Sequence, residues 1–166
     1  GLLCLKHQIE EIRLYSEITG FVLTELSDIS WEANGILDYS RNDKPFTQYM
    51  KILNQALLPI MRKNGEVYIS NISDDQVAGL FSVMCGDDVL YTNRITSPPK
   101  SCLKVADCQI EGINEMVTLE FITDDNRSSV NFCNLFAGSE KTQFSIADQL
   151  DEDSLKRAEN GERVYI

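Results

Sequence analysis

Residues 116–123 read Met-Val-Thr-Leu-Glu-Phe-Ile-Thr. Val117, Leu119 and Phe121 alternate with Thr118 and Glu120. A period of two puts one face of a strand in a core and the other in water. The same pattern recurs on either side. Val67 to Ile72, Val77 to Cys85, Val89 to Ile95, Leu103 to Ile110 and Ser129 to Phe136 also read as strands. Ser73-Asp74-Asp75, Gly86-Asp87-Asp88, Gly112-Ile113-Asn114 and Asp124-Asp125-Asn126 separate them. Links this short make neighbouring strands antiparallel, because a parallel return needs about a dozen residues. Ser97-Pro98-Pro99 divides the series into two groups of three.

Upstream the period changes. Phe46, Met50, Leu53, Leu57 and Ile60 follow spacings of four and three. They predict an amphipathic helix from Phe46 to Met61, with Asp43 as cap and Pro45 in its first turn. Pro59 would kink that helix or end it near Leu57. Ser27 to Lys44 is turn-rich and holds the single tryptophan, Trp31. Phe21 to Leu26 and Ile36 to Tyr39 are short strand candidates, with Asn34-Gly35 as a turn before the second. At the start, Leu2, Leu5, Ile9 and Ile12 lie on one helical stripe of heptad type. That stripe fits two arrangements: a coiled-coil stalk, in which these four residues make a dimer, or a helix packed on its own domain. After Gly138, Phe144, Ile146 and Leu150 predict a C-terminal helix.

The expected fold class is therefore α+β. It comprises an N-terminal coiled-coil-like helix, an amphipathic helix, a meandering antiparallel sheet of about six strands and a C-terminal helix. The expected domains are a stalk or dimerisation helix over residues 1–19, one globular domain over 20–150 and an acidic helix or tail over 151–166.

The chain has 166 residues, 43 % of them hydrophobic, and a net charge of −11. That is enough apolar material for a core and argues against general disorder. Lys and Arg are scattered, so an acidic surface of this kind repels nucleic-acid phosphate and suits a basic protein partner. No apolar run approaches the roughly 18 residues of a membrane helix. The start shows no secretory pattern, and its Gly1 reads as the beginning of a piece of a longer protein. Five cysteines, an odd number set among apolar residues, suggest free thiols in a reducing compartment. The expected location is intracellular, in nucleus or cytoplasm.

Chemistry is sparse. His7 is the only histidine, and a nucleophile–histidine site would have to be built on it. Asp74-Asp75, Asp87-Asp88 and Asp124-Asp125 could supply oxygen ligands to a metal, but Asp is also the residue that hairpin turns favour. Asn71-Ile72-Ser73 and Asn126-Arg127-Ser128 match the glycosylation triplet, and Thr96-Ser97-Pro98 matches a minimal proline-directed phosphorylation site. No catalytic residue, metal ligand or cofactor is assigned.

Tyr15-Ser16-Glu17-Ile18-Thr19-Gly20-Phe21-Val22-Leu23-Thr24 resembles the junction at which a coiled coil enters the small head of kinetochore and monopolin-type, RWD-like chromosome-segregation proteins. The resemblance implies a stalked, dimeric α+β head, with Phe21 onward as its first strand. The Phe46–Met61 helix and the large sheet depart from that pattern. Glu66 to Leu150 also resembles the strand meander and closing helix of a pleckstrin-homology-like domain. The expected function is a non-enzymatic protein–protein interaction and dimerisation module in chromosome segregation. The alternatives are a carboxylate- or metal-dependent enzyme domain and a pleckstrin-homology-like binding domain.

Overall fold

The computed structural model describes residues 2–135 and the backbone of two short strands at 144–146 and 163–165. The first unit is an α+β fold dominated by seven strands: β1 (Leu57–Met61), β2 (Glu66–Asn71), β3 (Val77–Cys85), β4 (Asp88–Ser97), β5 (Ser101–Asp107), β6 (Met116–Thr123) and β7 (Ser128–Asn134). They form two antiparallel sheets, ordered β1-β2-β5 and β4-β3-β6-β7. All six strands expected from the period-two pattern form, and β3 and β6 keep their expected bounds. The chain does not meander within one sheet. Hairpins β1–β2, β3–β4 and β6–β7 alternate with links that change sheet, and Pro98-Pro99 lies in one of those links.

One core lies between the sheets. Phe81 and Val83 of β3, Val117, Leu119 and Phe121 of β6, and Val67 and Ile69 of β2 are all 0 % exposed. Each such side chain contributes about 1.5–3 kcal/mol of burial. Phe81 and Phe121 are direct cross-strand partners, with ring centroids 6.3 Å apart. Gly79 lets β3 and β6 approach this closely. A Cβ there would stand 2.2 Å from the Ile122 carbonyl oxygen.

The long helix expected over Phe46–Met61 does not form. A 3-10 turn (Thr47–Tyr49) leads into one helical turn, α2 (Met50–Leu53), and Leu57–Met61 is strand β1. All five residues of β1 are buried. An apolar run hidden on both faces carries no period of two, so it matched the helical spacing as well as the strand. Pro59 decides between them. It has no N–H to give a ladder and is tolerated on an edge strand, which β1 is.

The expected strand at Phe21–Leu26 is likewise absent among the described residues, and Ile36–Tyr39 takes part only in isolated bridges at Leu37. In the second unit, β8 (Phe144–Ile146) pairs in parallel with β9 (Arg163–Tyr165). Phe144–Ile146 is thus a strand where a helix was expected to begin. The rest of that C-terminal helix and of the 151–166 tail lies outside the described residues.

Helix α1 (Leu2–Arg13) is shorter than the expected 1–19 segment. It packs on its own sandwich by an unexpected face, since Lys6, Ile9, Glu10 and Arg13 are the buried residues. Of the stripe assigned to dimerisation, Ile9 is 1 % exposed and spent inside the domain, whereas Leu2, Leu5 and Ile12 are half-buried. The physical reason is the polar seam between edge strands β1 and β7. Asn131 of β7 donates to the Pro59 carbonyl (2.7 Å) and to Glu10 (2.6 Å). Lys6 pairs with Glu10 and lies 4.8 Å from the Phe132 ring centroid. Arg13 donates to Ser70 Oγ (3.0 Å) and to the carbonyls of Gln55 (3.0 Å), Ala56 (3.3 Å) and Ser70 (3.1 Å). Burial draws Arg13 down to about 10, so it remains charged at neutral pH. Buried charges must be paired or hydrogen-bonded: Lys6 and Glu10 pair with each other, and Arg13 is held by neutral oxygen acceptors. The Gln55 side chain pairs with both the N–H (3.1 Å) and the C=O (2.8 Å) of Val130, capping the free edge of β7.

Candidate interaction surface

The sequence offered carboxylates as its main chemical candidates, and the fold gives each pair a local structural role. Asp74 pairs with Lys100 (3.1 Å), Asp124 with Arg94, and Asp125 with Arg127 (2.8 Å). Asp125 also accepts from Thr123 (2.5 Å), and with Arg127 this holds its carboxyl below the usual range. Asp87 lies in the β3–β4 turn, and Asp88 opens β4 opposite Cys85. Among the described residues, no three His, Cys, Asp or Glu side chains group to hold a metal ion. His7 is exposed on α1. Among the described residues, no helix is long and apolar enough to cross a membrane.

The modification motifs fare differently. Asn71 is buried and serves as a hub. Its amide donates to the carbonyls of Asp75 (2.9 Å) and Pro98 (2.9 Å), and its oxygen accepts from Ser73. A glycan there would destroy the joint between two sheet crossings. Asn126, by contrast, is exposed in the β6–β7 turn with φ +66. Ser97 is 0 % exposed, so a kinase could reach its hydroxyl only after β4 opened locally. The cysteines are free, as the odd count implied. Cys108 and Cys133 are buried, and burial pushes both thiols up.

The feature that stands apart is the segment between α1 and α2. Val22, Leu26, Trp31 and Tyr39 are 88, 69, 81 and 71 % exposed, and Tyr15 and Ile18 are also open. Exposed apolar residues scattered singly need no explanation, whereas these fall close together in sequence. The segment is built, with Asp28 as its centre. Asp28 Oδ1 accepts from the Gly35 N–H (2.8 Å) and from Lys44 Nζ (2.6 Å), while Lys44 also donates to the Ala33 carbonyl (3.0 Å). Gly35 is required here because a Cβ would lie 2.4 Å from the Asp28 nitrogen. Ile29 and Glu32 exchange backbone hydrogen bonds (3.1 and 3.0 Å), closing a turn that presents Trp31 at its tip. Asp38 holds Asn42 through backbone and side chain, and Thr47 donates to the Ile36 carbonyl (2.8 Å), anchoring the segment to the start of the 3-10 turn.

The electrostatics of the segment are one-sided. Residues 15–44 hold the carboxylates Glu17, Glu25, Asp28, Glu32, Asp38 and Asp43 against only Arg41 and Lys44. Glu25 lies against Glu32 and near Asp28, and these neighbouring carboxylates raise its carboxyl above the usual range. Glu25 also takes φ +76, a strained conformation for a residue with a side chain. The sequence signal for this surface was present in Trp31, Tyr39 and the Phe21–Leu26 run, but alternation there read as a strand.

No family profile matches the chain, and no curated protein matches it. Among solved structures, the chain is similar to part of the exo-chitosanase CsxA of Amycolatopsis orientalis in complex with PNP-beta-D-glucosamine. The identity is 14 %, with coverage of 83 % of this chain and 19 % of that chain and a TM-score of 0.50. A second structure of the same exo-chitosanase matches at 14 % identity, 78 % and 18 % coverage and a TM-score of 0.49. This chain thus spans about a fifth of the length of the chain it matches. At such identity the likeness is one of fold.

Proposed function

We propose that this chain is a non-enzymatic protein–protein interaction module, a β-sandwich that docks a partner through the segment Tyr15–Tyr39. The observation that carries the reading is the concentration of exposed large apolar side chains there, on a scaffold tied down at Asp28 and Gly35. Loops held by a rigid sandwich are a common place for recognition. Chromosome segregation as the process rests on the Tyr15–Thr24 resemblance alone. Dimerisation through α1 would have to use Leu2, Leu5 and Ile12, because Ile9 is committed to the domain.

A second reading has the exo-chitosanase likeness behind it. In that reading the sandwich is an accessory domain of a longer carbohydrate-active chain, and the same segment packs on a neighbouring domain of that chain. A photo-crosslinking amino acid placed at position 31 in cells tests both. The interaction module gives a discrete adduct to another protein, while the same group at exposed Thr92 gives none. A crosslink within one chain selects the accessory-domain reading. Absence of any discrete adduct from positions 22, 31 and 39 overturns both.

A further inference from the structure

We infer that the Tyr15–Tyr39 segment docks a cationic, apolar stretch of its partner protein, an inference that rests on the interaction-module reading. Three observations lead there. First, the apolar groups Val22, Leu26, Trp31 and Tyr39 give a partner surface to cover, and aromatic side chains of this kind often anchor interfaces. Second, the negative charge around them is largely uncompensated. Lys44, one of only two cations in residues 15–44, is already committed to Asp28 in a mostly buried pair. Carboxylates at the end of the sandwich behave differently: Asp74, Asp124 and Asp125 each have a cation of this chain beside them. Third, Glu25 lies beside Glu32 and near Asp28, so three carboxylates crowd one place, with Lys44 already bonded to Asp28. A lysine or arginine from outside relieves the repulsion among them. Complementary charge of this kind steers association and selects the partner, while the apolar groups hold it.

The test is fluorescence anisotropy on the whole chain with three labelled synthetic peptides, an amphipathic Lys/Leu helix and its Glu/Leu and Lys/Ser counterparts. The Lys/Leu peptide is expected to bind at least about tenfold tighter than either counterpart, a difference of about 1.4 kcal/mol. Trp31→Ala and the double variant Glu25→Gln, Glu32→Gln each weaken it by about tenfold or more, on the scale of interface anchors. Asp74→Asn with Asp124→Asn removes the same charge elsewhere and leaves affinity within about twofold. Circular dichroism confirms that each variant is folded.

Equal binding of the Glu/Leu peptide overturns the charge inference and leaves the docking reading standing. Equal weakening by the two double variants shows non-specific attraction and overturns it too. Failure of every peptide to bind, beside a specific crosslink from position 31, overturns the cationic partner alone. Failure of both experiments removes the docking reading as well. Tighter binding of a glucosamine oligomer than of the Lys/Leu peptide overturns a protein partner in favour of a glycan.

Discussion

Arg13→Ala is the sharpest perturbation of how this fold is closed. The Arg13 guanidinium makes four hydrogen bonds, to Ser70 Oγ and to the carbonyls of Gln55, Ala56 and Ser70. Hydrogen bonds to a charged donor contribute about 1.5–3 kcal/mol each, and an acceptor left buried and unpaired costs about 1–3 kcal/mol. Releasing Arg13 from its own burial offsets part of this, and water reaches the more exposed acceptors. The net loss is expected to be ~3 kcal/mol. For a chain of this size that lowers the melting temperature by roughly 6–12 °C. Arg13→Lys restores the charge without the planar fork and is expected to recover less than half of the loss. Urea unfolding followed by circular dichroism gives the free energies. Ser70→Ala completes a double-mutant cycle, with an expected coupling of ~1 kcal/mol. A change within about 0.5 kcal/mol for Arg13→Ala, the range of an ordinary surface substitution, would refute the docked helix.

Other outcomes follow from particular atoms. Gly79→Ala forces a Cβ against the Ile122 carbonyl oxygen and is expected to cost at least about 1–3 kcal/mol, read by thermal unfolding. Glu66 bonds Lys104 and Asn64, which holds its carboxyl down to about 2. A carboxyl depressed on folding adds stability above its unfolded range, and that stability is lost as pH falls from about 5 toward 2. Glu66→Gln should therefore flatten part of the acid limb of a stability–pH curve and leave its alkaline limb unchanged. In timed alkylation of the native protein, exposed Cys4 is expected to react first, and Cys108 and Cys133 only on unfolding. Early labelling of Cys133 would contradict the packing of β7.

The sheet was readable from the sequence because its strands are half-buried. Val117-Leu119-Phe121 against Thr118-Glu120 carries its own burial pattern, and β6 came out with its bounds intact. β1 was not readable in the same way. Leu57–Met61 is covered on both sides, which erases the alternation, and only Pro59 hinted at an edge. The partition into two sheets was also hidden, since a hairpin and a sheet crossing can have links of similar length. On α1 the apolar spacing left a stalk and a packed helix both open. Charged residues are usually exposed, so the stripe Leu2-Leu5-Ile9-Ile12 did not disclose that Lys6, Glu10 and Arg13 join Ile9 on the buried face. The seam between β1 and β7 presents carbonyls and Asn131, which select a charged helix face, and no local pattern announces such a seam. The candidate surface was half legible. Its aromatic residues and acidity stood in the sequence, whereas the Asp28–Gly35–Lys44 tie that shapes it joins residues up to sixteen positions apart.

Trp31 is the only tryptophan, so its indole N–H gives a single, identifiable resonance. Titrating the labelled chain with the amphipathic Lys/Leu peptide tests the central claim most directly. The account predicts that this resonance and the amides of residues 22–39 move together and saturate, while those of β3 and β6 stay in place. An unmoved indole resonance at saturating peptide, or movement concentrated on the sandwich, would contradict it.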